Sequence, residues 1–111
     1  MSNLVIDGQE ILLDKEGFLR NLDDWSPKIA EALAAQEDIT LTDDHWDVIR
    51  LLQRFYREFE LSPAMRPLVK YVGQHLGPEK GRSIFLMQLF PPSPAKIGSK
   101  IAGLPKPTNC L

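Results

Sequence analysis

The chain has 111 residues, 43% hydrophobic and 25% charged, with a formal net charge of −2, which is enough for one globular domain with a modest core and too little for two. A sequence pI near 5.6 excludes the overall basic field that drives tight non-specific binding to nucleic acid, so any basic site has to be local. A single cysteine excludes an intramolecular disulfide, a Cys-x-x-Cys redox pair and a thiolate-rich zinc site, and leaves room for a persulfide, a mixed disulfide or a covalent intermediate.

The opening "MSNLVIDGQE" carries acidic residues where a signal peptide needs a basic segment and an apolar run, and no apolar stretch approaches ~18 residues. A cytosolic protein without a membrane segment is expected. In "LVIDGQEILL", Asp7 and Gly8 stand between two β-capable runs, which predicts a hairpin over about 4–13 with a type I′ turn. "DKEGF" (Asp14 to Phe18) ends that ribbon. Ser26 and Pro27 then fit the N-cap and first position of a helix over about 27–37.

Thr42 caps the next segment, with Asp43 and Asp44 in its first turn, where carboxylates are favourable against the helix dipole. Trp46, Ile49, Leu52 or Gln53, Phe55, Tyr56 and Phe59 recur at near-helical spacing, marking the longest helix. "SPAMRPLVKYVGQHLG" repeats the Ser-Pro start at Ser62 and Pro63 and ends at Gly77, a suitable C-cap. Pro67, beyond the first turn of a helix begun there, would remove a backbone bond and implies a kink or a later start. "PEKGRSIFLMQLFP" is a short apolar segment closed by Pro91 and Pro92, and "SPAKIGSKIAG" supplies a last short helix before Gly103.

Five of the nine prolines lie between Pro91 and Pro107. That shift in composition divides the chain into a helical body with its hairpin, 1–102, and an arm, 103–111, that favours extended conformations. Seven residue steps separate Gly103 from Cys110, so at ~3.1 Å per step the thiol reaches roughly 20 Å from that anchor, far enough to enter another protein's active site. An exposed thiol has a pKa near ~8.5, which the adjacent terminal carboxylate raises if anything; activation has to come from a partner's pocket. Taken alone, Cys110 is also readable as an incidental residue of a frayed terminus.

The closing "LFPPSPAKIGSKIAGLPKPTNCL" resembles the C-terminal signature of the DsrC/TusE family, an arm ending "KIAGLPKP", two variable residues and a penultimate cysteine. The likeness extends through "EGFL", "HWDVIRLLQRFYREF", "SPAMRPLVK" and "EKGRSIFLMQLFP", and so over nearly the whole chain. It implies a mainly α fold: a small orthogonal helical bundle with a helix-turn-helix-like core, an N-terminal β-hairpin and a flexible C-terminal arm. Family members that work with sulfite reductase carry a second cysteine with ten residues between it and the penultimate one. Here that position is Ser99, whose hydroxyl cannot exchange sulfur. The resemblance therefore points to the branch that accepts sulfur as a persulfide from a TusBCD-like relay complex and passes it to an MnmA-like thiouridylase with its tRNA, for 2-thiouridine at the wobble position. Cys110 is the implied catalytic residue, with no cofactor and no metal. A DsrC-like partner of sulfite reductase or of sulfur oxidation is the alternative within the family, disfavoured by Ser99.

Other features compete. Arg50, Arg54 and Arg57 fall at i, i+4 and i+7, and Arg66 and Lys70 at i, i+4 on the following helix; they form either a basic strip facing an acidic partner or tRNA, or a solvated face paired with Asp47, Glu58 and Glu60. Two helices joined through "ELSP" also permit a helix-turn-helix nucleic-acid-binding reading, against which stand Pro67 near the start of the second helix and the acidic composition. His45 and His75 have no partner at metal-ligand spacing and read as helix surface or core. Trp25, Trp46, Phe55, Tyr56 and Phe59 read as core. Lys100 and Lys106 are candidates for docking or charge steering. A cysteine second from the end is not a prenylation signal, which needs it fourth.

Overall fold

Asp7 and Gly8 take the positive φ values, 52° and 80°, that a two-residue hairpin turn needs at both central positions. Around that turn, β1 (Leu4–Ile6) pairs antiparallel with β2 (Gln9–Ile11), Val5 opposite Glu10. The computed structural model describes residues 3–108. Within them the hairpin is followed by a 3₁₀ turn (Leu22–Asp24) and the helices α1 (Pro27–Gln36), α2 (Asp43–Phe59), α3 (Met65–Leu76), α4 (Ser83–Leu89) and α5 (Pro94–Ile101). A mainly helical bundle with an N-terminal hairpin is thus observed as expected.

The helix starts follow their local chemistry. Ser26 Oγ accepts from the Ile29 N–H at 3.2 Å with Pro27 at the first position of α1. At α2 the cap is reciprocal: Thr42 N–H donates to His45 Nδ1 at 3.0 Å. Nδ1 is therefore the acceptor, and Nε2–H donates to the Leu89 carbonyl at 2.8 Å. His45 is buried and ties the start of α2 to the end of α4, so of the two readings, surface or core, it belongs to the core.

Ser62 and Pro63 do not start α3. Its N-cap is Ala64, and its first backbone bond runs from the Leu68 N–H to the Ala64 carbonyl at 3.0 Å. The later start puts Pro67 at the third helical position, where the missing N–H has no intrahelical acceptor to lose. Gly77, at φ 100°, ends the helix as expected.

The core joins Ile11 and Leu13 of the hairpin region to Leu33 of α1, Ile49 and Leu52 of α2, Leu68 and Val72 of α3, Leu86 of α4 and Ile101 of α5. Trp25, Trp46 and Tyr56 pack on its edge, and Phe55 is buried. Phe59 departs from the expected core role: it is 50% exposed and lies on Phe55 with ring centroids 4.5 Å apart. At the centre of the bundle is α5, buried at Pro94, Ala95 and at every residue from Ile97 to Ile101. A Cβ on Gly98 would come 3.0 Å from Leu52 Cδ1, so the missing side chain is what brings α5 close to α2.

Because Leu52 is fully buried at this crossing, Leu52→Ala is expected to cost ~2–5 kcal/mol of stability, read as a fall in the urea midpoint with an unchanged m-value.

Candidate functional site

Cys110 lies outside the described residues, as do Asn109 and Leu111. The structure shows the root from which the arm departs, built by the end of α5. Ala102 is the C-cap and Gly103 follows at φ 77°. The Gly103 N–H donates to the Lys100 carbonyl at 3.1 Å and the Leu104 N–H to the Ser99 carbonyl at 2.9 Å. These are the two bonds of a Schellman motif, with Leu104 buried as its apolar contact.

Two side chains from other elements close the same turn. Trp25 Nε1–H donates to the Ile101 carbonyl at 2.9 Å, and Gln53 Nε2–H to the Ala102 carbonyl at 3.0 Å. Orphan carbonyls at the end of α5 are thus satisfied by protein groups rather than water. Beyond the turn the chain stays on the body. Ser62 Oγ–H donates to the Pro105 carbonyl at 2.6 Å, Lys106 Nζ meets Glu16 at 2.9 Å, and Pro107 is buried. Glu16 also holds Lys96 of α5 at 3.2 Å. Hydrogen bonds from Lys106 first and Lys96 second hold the Glu16 carboxyl below the usual carboxylate range. Gly103–Pro107, the first part of the expected arm, therefore lies against the body, and Cys110 follows Pro107 by three positions in sequence.

A groove of about 430 Å³ runs beside this root, walled by Leu22, Trp25, Gln53, Tyr56 and Arg57 on one side and by Ala102–Leu104 on the other. Tyr56 also lines a smaller hollow of about 170 Å³ with Glu60, Leu61, Ser62 and Thr108. The arm root thus crosses the C-terminal half of α2 before the chain reaches its cysteine.

Ser99 is fully buried on α5, and its Oγ has no hydrogen-bond partner among the described residues; it is neither solvated nor a cap. Lys100, 7% exposed, pairs with Glu37 at 2.9 Å and lies 5.4 Å from the Phe18 ring centroid. It ties α5 to α1, and Lys106 ties the arm to Glu16, so both lysines are engaged within the molecule. His75 packs on Tyr71 with ring centroids 4.4 Å apart.

The basic residues are placed less uniformly than their spacing suggested. Arg50 approaches Asp47 at 3.9 Å with both side chains exposed, a pairing of small energetic weight. Arg54, Arg57, Arg66 and Lys70 make no ion pair among the described residues. The residues that sequence reasoning did not assign to the site are Glu16, Trp25, Gln53 and Ser62. Each reaches the arm across a large separation in sequence, and no local pattern announces such a contact. Gly103 had a signal, since glycine just past a helix ending in Lys is the usual mark of this motif.

Three outcomes are expected from this geometry. Gly103→Ala forces a Cβ to 2.3 Å from Trp25 Cδ1 at a positive φ and is expected to destabilise by ~1–3 kcal/mol, with a changed Trp25 fluorescence. With its folded-state pKa depressed, Glu16 contributes above its unfolded value, and the contribution fades as pH falls through the lowered one. Following the Glu16 carboxyl by NMR, Lys106→Ala is expected to raise its titration midpoint, and Lys96→Ala to raise it less.

The DsrC like protein family model matches residues 5–111. The chain is 55% identical over 111 residues to Sulfurtransferase TusE of Photorhabdus laumondii, covering 100% of both chains. It is 52% identical over 108 residues to Sulfurtransferase TusE of Yersinia pestis, covering 97% of this chain and 99% of that one. Among solved structures it resembles the NMR structure of Allochromatium vinosum DsrC, with a TM-score of 0.88, 47% identity and coverage of 98% and 97%. The oxidized γ-subunit of the dissimilatory sulfite reductase (DsrC) from Archaeoglobus fulgidus superposes with a TM-score of 0.86 at 36% identity, over 99% and 100%. Matched along its whole length in sequence and in fold, the chain belongs to the DsrC-like family.

Proposed function

We propose that this protein is a sulfurtransferase that carries sulfur covalently on Cys110, within a relay that ends in 2-thiolation of tRNA wobble uridine. One observation carries the reading: relatives named Sulfurtransferase TusE match it from end to end at about half identity, and its one cysteine stands next to last. A TusBCD-like complex is the donor and an MnmA-like thiouridylase the acceptor, in the cytoplasm. Among the described residues, no helix is long and apolar enough to cross a membrane.

The chemistry is thiol exchange. The Cys110 thiolate attacks the outer sulfur of a donor persulfide; the donor's S–S bond breaks, the donor leaves as a thiolate, and Cys110 becomes the persulfide. An acceptor thiolate attacking the outer sulfur of Cys110 reverses these roles and restores the thiolate, with no net oxidation. A carrier of this kind is served by a lone cysteine, because a second thiol nearby would attack the persulfide, close a disulfide and release sulfide. Ser99, a hydroxyl in the buried core, provides no such attacker and makes the sulfite-reductase role the weaker reading. The organisation of the arm root supports delivery: α5, Trp25, Gln53 and Ser62 hold the chain as far as Pro105, five positions before the cysteine in sequence, so that only the last few residues have to enter a partner.

After incubation with a cysteine desulfurase and the relay complex, intact-mass spectrometry is expected to show one added sulfur atom on the wild type and none on Cys110→Ser, with the fold unchanged by circular dichroism. Absence of added sulfur on the wild type, under conditions that load a known carrier, would overturn the reading.

A further inference from the structure

The C-terminal half of α2 has two flanks. One, at Gln53, Tyr56 and Arg57, walls the groove along the arm root. The other, at Phe55 and Phe59, walls a separate shallow hollow of about 260 Å³ completed by Pro67, Lys70, Tyr71 and Gln74 of α3. That volume falls below the ~300–1,000 Å³ of small-molecule sites and suits a single side chain presented by another protein.

The hollow has an apolar lip and a basic rim. Phe59, which forms that lip, is 50% exposed, and Leu61, just past the end of α2 and lining the neighbouring small hollow, is 56% exposed. Lys70 lines the hollow, Arg54 directly precedes the Phe55 that lines it, and the Tyr71 hydroxyl bonds Glu58 at 3.4 Å. Arg54, Arg57 and Lys70 have no ion-pair partner among the described residues, although the chain as a whole is acidic. Aromatic rings with arginines around an apolar pocket are the composition in which protein–protein binding energy concentrates.

We propose that this hollow seats an acidic segment of the sulfur-donating partner: an apolar side chain enters between Phe59 and Tyr71, and carboxylates pair with Lys70 and Arg54. The inference rests on the carrier function above. Charge complementarity favours a protein over nucleic acid. A phosphate backbone would meet Glu58 and Glu60 at the same end of α2 and has nothing apolar to place on Phe59 and Leu61. The acceptor fits less well than the donor, because a surface made to hold tRNA is itself basic and would be repelled by this rim. Position matches role. Tyr56, Glu60 and Leu61 line the small hollow with Thr108, and two residue steps of at most ~3.6 Å separate Thr108 from Cys110. A donor held on this end of α2 sits beside the point from which the thiol is presented.

The test compares two sulfur donors, inorganic polysulfide, which needs no docking, and the TusBCD-like complex. Phe59→Ser, Arg54→Glu and Lys70→Glu are expected to load from polysulfide as the wild type does, by intact mass, with unchanged circular dichroism. With the protein donor each is expected to raise KM about tenfold with little change in kcat, and Arg54→Glu to flatten the wild type's salt dependence. An unchanged KM in all three variants overturns the docking site. Failure of wild type to load from either donor would instead sink the carrier function on which it rests. A tRNA gel shift by the wild type that is lost in Arg54→Glu and kept in Phe59→Ser also overturns the proposal, by placing nucleic acid on the rim.

Discussion

Where α5 ends, the backbone of Gly103 passes so close to Trp25 that a Cβ would lie 2.3 Å from the indole Cδ1 and 2.8 Å from the Trp25 Cβ. The indole is held there by its own hydrogen bond to Ile101, so the close approach and the bond require each other. The direction of the arm depends on this contact. The helix stops at one residue, its last carbonyls are bonded by Trp25, Gln53, Gly103 and Leu104, and the chain is turned across α2 instead of into solvent. Burial of α5 along nearly its whole length gives that turn a rigid base.

Two groups of cations are placed in contrasting ways. Lys28, Lys80, Lys96, Lys100 and Lys106 each meet a carboxylate from a distant part of the chain, and they join hairpin to α1, α2 to the loop after α3, and α5 and the arm to the body. Most of these pairs are partly exposed and contribute little energy singly. Lys100 differs, because its charge is buried and would be costly without Glu37. The arginines on the solvent side of α2 take no part in this scheme. A flexible lysine fits an intramolecular tie, whereas the planar guanidinium is suited to carboxylates brought by a partner. A small acidic protein can thus keep one basic face while its overall field stays weakly negative.

Much of the architecture was legible because its signals are local. Asp7–Gly8, Ser26–Pro27, Thr42 with the two aspartates, Gly77 and Gly103 act over one to four residues, and each occurs where turn or cap chemistry placed it. Ser62–Pro63 was the exception: the same Ser-Pro pattern that starts α1 did not start α3, because Pro67 forces the later start at Met65. That shift released the Ser62 hydroxyl for the arm. Phe59 had the spacing of a core residue, but periodicity does not report where a helix leaves the core, and its ring lies half open.

By itself, the sequence determined the mainly helical body, the hairpin, the lone penultimate thiol and the family signature that surrounds it. These follow from residue type, spacing and short-range chemistry, which survive without any knowledge of packing. Only the tertiary structure decided that Ser99 is buried, that Lys100 and Lys106 are tied inward, that Lys70 lines an open hollow with Phe59, and that Glu16, Trp25, Gln53 and Ser62 hold the arm. Those properties depend on which elements meet across tens of residues, and the same polar side chain is a tie, a cap or a free charge according to what packing sets opposite it.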